Sequence, residues 1–125
     1  YKGPIDYNLL PSFYNKADLF IFASTCENLP IILLEAMASQ IPIACSNRQP
    51  MPEILGDAGV YFNPKNIISI TNALRKLLMS SELRKSISLK AKERSHEFTW
   101  EQCSKDTFEF FSDCAISFYP PSSGQ

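Results

Sequence analysis

The chain has 125 residues, of which 45% are hydrophobic and 20% charged, with a formal net charge of -1. That is the size of one ordinary domain with enough apolar material for a core, which excludes an intrinsically disordered chain. The near-neutral balance excludes a surface built for nucleic-acid phosphate, and no apolar run reaches the length of a membrane-spanning helix.

The sequence opens on Tyr1 rather than Met and shows no signal peptide, so the expectation is part of a longer protein. Cys26, Cys45, Cys103 and Cys114 lack the two-residue gap of a zinc knuckle or redox motif, and His96 is the single histidine. Neither a metal site nor a Cys–His nucleophile pair has support. The cysteines read as reduced thiols in a cytoplasmic protein, three of them near or in apolar stretches.

Residues 1–5 are short and β-compatible, stopped by Gly3-Pro4. Asn8 can cap a short helix with Leu10, Phe13, Tyr14 and Ala17 on its apolar face. Residues 19–23 form a continuous apolar run of strand length, as in strands covered on both faces. Polar residues 24–28 follow. A second helix starts near Leu29-Pro30, where proline suits a first turn, and runs to about Ser39.

Residues 41–45 are a second apolar strand, and residues 52–55 a brief helix that Gly56 ends through its access to positive φ. Residues 60–62 make a third short strand. Asn66 caps a helix carrying Ile67, Ile70, Leu74, Leu77 and Leu78 on one side, and Ser81 opens another to about Glu97. Thr99 and Gln102 have the spacing of a capping box. The last helix bears Cys103, Thr107, Phe110, Phe111, Cys114 and Phe118 on one stripe, widened by Phe108 and Ala115. The tail, residues 120–125, is turn-rich and expected to be disordered. Strands alternating with helices predict an α/β fold, a Rossmann-like parallel sheet with flanking helices and a helical C-terminus.

In an open parallel sheet, ligands bind beyond the carboxyl ends of the strands, which directs attention to residues 24–35. Glu27 falls in the strand-to-helix loop. Glu35 interrupts an otherwise apolar helix, where a charge is costly unless paired or facing a wet cleft. The first N–H groups of that helix, near Ile31 and Ile32, lack intrahelical acceptors and carry the positive end of the helix dipole, a ready place for a diphosphate. Two acids with an anion-friendly helix start between them suit a ligand with hydroxyls at both ends and phosphate in the middle, as in a nucleotide sugar. Spacing by itself leaves the ordinary reading open: a surface loop acid at Glu27 and an exposed helix acid at Glu35. Arg48, in a loop after a strand, reads as a solvated loop arginine.

The surrounding residues carry a resemblance. Glu27 and Glu35 match the E-x7-E motif of the retaining GT-B glycosyltransferases of group one, or family four. The residues before it, Leu10-Pro11-Ser12-Phe13-Tyr14-Asn15-Lys16-Ala17-Asp18-Leu19-Phe20, resemble that family's helix and strand ahead of the motif. Leu34-Glu35-Ala36-Met37-Ala38-Ser39-Gln40-Ile41-Pro42-Ile43 is similar to its LEAMA stretch, and Pro52-Glu53-Ile54-Leu55-Gly56-Asp57-Ala58-Gly59 to its GDAG turn. Phe98-Thr99-Trp100-Glu101 resembles its FSWE. Together these cover residues 3–112 in order.

The resemblance implies that residues 1–119 are part of a C-terminal, nucleotide-sugar-binding domain facing a second domain across a cleft. It implies that Glu35 hydrogen-bonds the donor's ribose and that Glu27, the catalytic candidate, contacts the donor sugar. Asn28 and the amides of Ile31 and Ile32 complete the donor site. No metal and no cofactor are implied, with the helix start and basic side chains serving the leaving diphosphate. The implied partners are a nucleotide-sugar donor, an acceptor hydroxyl on a sugar, lipid or other molecule, and the N-terminal domain. The implied setting is cytoplasmic, including the inner membrane face.

Three departures stand out. Asn28-Leu29-Pro30 replaces the family's frequent Gly-Phe-Gly-Leu-Pro, Gln40 stands where a turn glycine is common, and Gln49-Pro50 replaces a frequent Gly-Gly. The family's basic Arg and Lys for the diphosphate have no counterpart in these residues, so transfer by this chain alone is not expected. A non-catalytic nucleotide-binding or scaffold module of the same fold is the alternative. A nucleotide-sugar epimerase fits less well because it lacks the E-x7-E context. The apolar stripe of the last helix requires cover, and self-association through it is expected, against packing of Phe110 and Phe111 on the two preceding helices.

Overall fold

A computed structural model describes residues 1–118; the tail at residues 120–125 lies outside the described residues. The elements run α1 (Leu10–Lys16), β1 (Phe20–Phe22), α2 (Ile31–Ala38), β2 (Ile43–Ser46), α3 (Met51–Leu55), β3 (Val60–Phe62), α4 (Ile67–Met79), α5 (Ser81–Ser95) and α6 (Trp100–Phe118). The three strands are parallel, in the order β1-β2-β3, with Phe22 opposite Cys45 and Ala44 opposite Val60. This is the expected Rossmann-like layering.

The central strand explains the sheet. β2 buries all four of its residues, so an unbroken apolar run ending in Ser46 is what its two covered faces require. Ile43 and Cys45 face the cluster built by Leu33, Ala36 and Met37 of α2, Met51, Ile54 and Leu55 of α3, and Ala91 of α5. Ala44 faces the opposite cluster, with Phe62, Ala73 and Leu77 of α4, and Ile87 of α5. α5 contributes to both clusters and packs along α2.

Several expectations are corrected. Residues 1–5 form no strand; a 3-10 turn at Tyr7–Leu9 leads into α1, and its cap is Asp6, whose carboxylate accepts the N–H of Asn8 at 2.8 Å. Asn8 is therefore the capped residue rather than the cap. Among the described residues β1 lies at the edge of the sheet, and only its Phe22 is buried. Ile21 is 48% exposed, because α4 covers β2 and β3 without reaching the same face of β1. On α4 the buried stripe is Ala73 and Leu77 with Ile70 and Leu74 half-buried; Ile67 and Leu78 lie outside it, exposed. α5 begins at Ser81 but is capped by Ser80, whose hydroxyl accepts the N–H of Leu83, and it ends at Ser95.

Other local signals appear as read. Asn66 caps α4 through the N–H of Ser69, and Gly56 ends α3 at φ 59°. Thr99 accepts the N–H of Gln102, although the Gln102 amide turns to Asp106 and leaves the capping box half-made. Gln40 takes φ 57°, the left-handed conformation for which a glycine is common. Of the cysteines only Cys45 is buried; Cys26 and Cys103 are exposed and Cys114 is intermediate. α6 buries none of its described residues: Phe108, Phe110, Phe111 and Phe118 are all exposed, so Phe110 and Phe111 are not core against α4 and α5.

Candidate functional site

The loop of residues 23–30 leaves the carboxyl end of β1 and delivers Pro30 to the start of α2. Pro30 is fully buried, and its φ of -78° and ψ of 79° describe an inverse γ-turn. That turn lets the N–H of Ile31 donate to the carbonyl of Leu29 at 2.9 Å. Pro30 has no N–H, and the N–H groups of Leu33 and Leu34 already reach the Pro30 carbonyl. Among the described residues, Ile32 is left with the one first-turn N–H that has no acceptor. The pair of amides expected at Ile31 and Ile32 is thus reduced to one.

Glu35 lies one turn further along α2, about 6 Å of helix rise beyond Ile31. Its neighbours Leu33, Ala36 and Met37 are fully buried. Glu35 itself is half-buried, and its Oε2 accepts the phenolic O–H of Tyr14 of α1 at 2.8 Å. The Tyr14 ring packs against the core beside Phe20, with ring centroids 6.1 Å apart. Burial first, and then the hydrogen bond and negative charge of Glu35, push the Tyr14 phenol above its ordinary range, so it stays a proton donor. The Glu35 carboxylate makes no second hydrogen bond among the described residues, which leaves Oε1 as a free acceptor.

Glu35 and Tyr14 line an open hollow of about 230 Å³ between α1 and α2, with Tyr7, Leu10 and Pro11 on one side and Ala38 and Ser39 on the other. This is smaller than the roughly 300–1,000 Å³ of sites that engulf a drug-sized ligand. Glu27 stands apart from it, half-buried in the loop, with no hydrogen bond or ion pair among the described residues. Asn28, Ile31 and Ile32 are exposed beside it. Arg48 is exposed, its N–H held by the Ser46 hydroxyl at 3.2 Å.

Sequence reasoning placed Tyr14 on an apolar face and overlooked its partnership with Glu35. The available signal was chemical: a tyrosine in one apolar stripe and a glutamate in another each carry a polar group that needs a partner.

A parallel sheet with helices on both faces and an acid-bearing loop and helix beyond its first strand defines a Rossmann-like domain of the kind found in GT-B glycosyltransferases. The chain belongs to the glycosyl transferases group 1 family, whose model matches residues 1–94. It is 29% identical over 111 residues to the O-antigen chain mannosyltransferase B of Escherichia coli, covering 89% of this chain and 29% of that protein. It is 30% identical over 105 residues to the sulfoquinovosyl transferase SQD2 of Arabidopsis thaliana, covering 80% of this chain and 21% of that one. The chain thus spans less than a third of either relative.

Among solved structures it resembles the sucrose-phosphate synthase of Thermosynechococcus elongatus, with a TM-score of 0.76 at 21% identity over 92% of this chain and 30% of that one. It also resembles the C-terminal domain of a glycosyl transferase group 1 family protein from Francisella tularensis, with a TM-score of 0.66 at 30% identity over 75% and 49% of the two chains. No helix among the described residues is long and apolar enough to cross a membrane.

Proposed function

We propose that this domain holds the nucleoside-diphosphate sugar of a retaining glycosyltransferase, which passes the sugar to an acceptor hydroxyl. The observation that carries the reading is the Glu35 carboxylate. It is fixed on one oxygen by Tyr14 and open on the other, one turn beyond the unpaired N–H of Ile32. An open carboxylate oxygen accepts hydrogen bonds and repels phosphate, so it suits the ribose hydroxyls. The helix start suits the adjoining diphosphate. Glu27, in the loop above, is assigned to the donor sugar at the reacting centre, with Asn28 beside it. The acceptor site and the cations for the leaving diphosphate belong to parts of the protein beyond these residues. No metal is assigned to the donor site.

The family membership and the mannosyl- and sulfoquinovosyltransferase relatives support sugar transfer as the reaction class. The peptide of 125 residues is expected to transfer no sugar alone, since transition-state stabilisation needs both the acceptor and the diphosphate held in place. In the protein carrying this domain, Glu35→Gln should weaken nucleoside-diphosphate binding by about 1–3 kcal/mol, measured calorimetrically. Unchanged affinity would sink the assignment.

One observation favours a second reading, a nucleotide-binding module without catalysis. The γ-turn at Pro30 withdraws the Ile31 N–H and leaves a single amide for phosphate. Turnover of any nucleotide sugar by the protein carrying this domain decides against it, and tight nucleotide binding without turnover decides for it.

A further inference from the structure

We propose that Tyr14 is a positioning residue that selects the ligand through Glu35: by occupying Oε2 it aims Oε1 at the hollow as a lone acceptor for a hydroxyl pair. The inference rests on the reading of Glu35 as the ribose contact and adds to it the residue that makes that contact selective.

The geometry argues for it in three steps. A glutamate side chain has three rotatable bonds, and a half-exposed one samples many rotamers. Tyr14 removes that freedom. Its own ring is clamped between α1 and the core beside Phe20, and its O–H reaches Oε2 at 2.8 Å across 21 residues of sequence. To an ionised carboxylate a phenol can only donate, so Tyr14 engages Oε2 and tethers that end of the carboxylate.

What remains is Oε1, which has no protein donor among the described residues. Glu35 borders a hollow whose other walls are mainly apolar: Leu10, Pro11 and Ala38. A carboxylate oxygen in such a place, with its orientation set beforehand, rewards a ligand that brings its own donors and rejects one that brings none, because the oxygen would then be covered and unpaired. A vicinal diol fits that demand, and a phosphate, being negatively charged, does not. A tyrosine that served packing alone would need neither its hydroxyl nor this distance.

The test uses Tyr14→Phe, which keeps the ring and removes the hydroxyl, in the protein that carries this domain. Affinities are measured for the best-binding common nucleoside diphosphate and for its 2′,3′-dideoxy form. Wild type should prefer the ribose form by about tenfold or more. Tyr14→Phe should cut that preference by about three- to tenfold while the dideoxy affinity stays constant, and Glu35→Ala, which removes the acceptor altogether, should abolish it. Adding Tyr14→Phe to Glu35→Ala should change nothing further. An unchanged preference in Tyr14→Phe, or an equal loss for both nucleotides, overturns the role of Tyr14 and leaves that of Glu35 intact. Persistence of the preference in Glu35→Ala overturns the ribose assignment, and the role of Tyr14 with it.

Discussion

Arg94 of α5 closes the end of α3 by donating from Nε to the carbonyl of Ile54 at 2.7 Å, while Nη2 reaches the carbonyl of Glu53 at 2.8 Å. The last carbonyls of any helix lack intrahelical donors, and here a planar guanidinium serves two of them at once. The third nitrogen lies 3.3 Å from the carboxylate of Glu97, which keeps the fork in place. Arg94→Ala should therefore lower stability by about 1–3 kcal/mol in urea denaturation. Arg94→Lys should recover less than half of the loss, because an ammonium is a point donor and cannot span both carbonyls. A loss below about 0.5 kcal/mol for the alanine variant would place Arg94 among the inert surface residues.

Gln40 gives a prediction of opposite sign. Its φ of 57° pushes Cβ toward the following carbonyl, a cost of about 1–2 kcal/mol that glycine does not incur. Glycine loses more backbone freedom on folding, which offsets part of that relief. Gln40→Gly is expected to raise stability by about 0.5–1 kcal/mol, visible as a higher denaturation midpoint at unchanged slope. A lower midpoint would mean that the glutamine side chain makes a contribution larger than its backbone strain.

Cys45 should make the domain sensitive to alkali. Burial in the middle of β2 raises its thiol from 9.0 to about 12, against a small opposing effect from the Ser46 backbone. The native chain keeps a proton that the unfolded chain gives up, so stability is full below pH 9.0 and falls as pH climbs toward about 12. The half-buried phenols of Tyr14 and Tyr61, also pushed upward, add to the same slope higher in the range. Cys45→Ala should shrink the difference in denaturation midpoint between about pH 8 and about pH 11, whatever its effect at neutrality. At neutral pH the native thiols of Cys26 and Cys103 should react with an alkylating reagent while Cys45 does not.

α6 sets up a test of association. Its aromatic stripe has Phe108 at 68%, Phe110 at 64% and Phe111 at 58% exposure, so the apolar surface gains no cover from α4 or α5. The 125-residue chain on its own is expected to self-associate through this face, and residues 1–99 alone to remain monomeric and folded, since α6 buries nothing in the core. Light scattering on the two lengths checks both halves of the statement. A monomer at high concentration with α6 helical by circular dichroism would count against the association.

The layering of this fold was legible because its signals are local or strongly periodic. Apolar runs marked β2 and β3, Gly56 marked the end of α3, and Asn66 and Thr99 marked two helix starts. What failed did so for tertiary reasons. Ile21 sits in a run that reads as doubly covered, but cover depends on where α4 lands, which no window of sequence contains. Residues 1–5 have strand composition and no neighbouring strand to pair with among the described residues. At the candidate site, Glu35 was legible as a charge interrupting an apolar helix, and Glu27 through its spacing from Glu35. The bond from Tyr14 was not, because it spans two helices and depends on one phenol meeting one carboxylate. The loss of the Ile31 donor turns on the φ and ψ of Pro30, which the proline only half determines.

The strand order carries a kinetic meaning of its own. Each strand pairs with the next one in the chain: Phe20 with Ile43, then Ala44 with Val60. Parallel sheets usually fold slowly because their partners are remote, yet here every ladder joins segments separated by a single short helix. During synthesis β2 can dock on β1 once β2 itself has left the ribosome, and β3 can dock on β2 while α4 is still inside the exit tunnel. The ladder therefore grows in one direction, toward the C-terminus, with the covering helices α4 and α5 arriving after the sheet they protect.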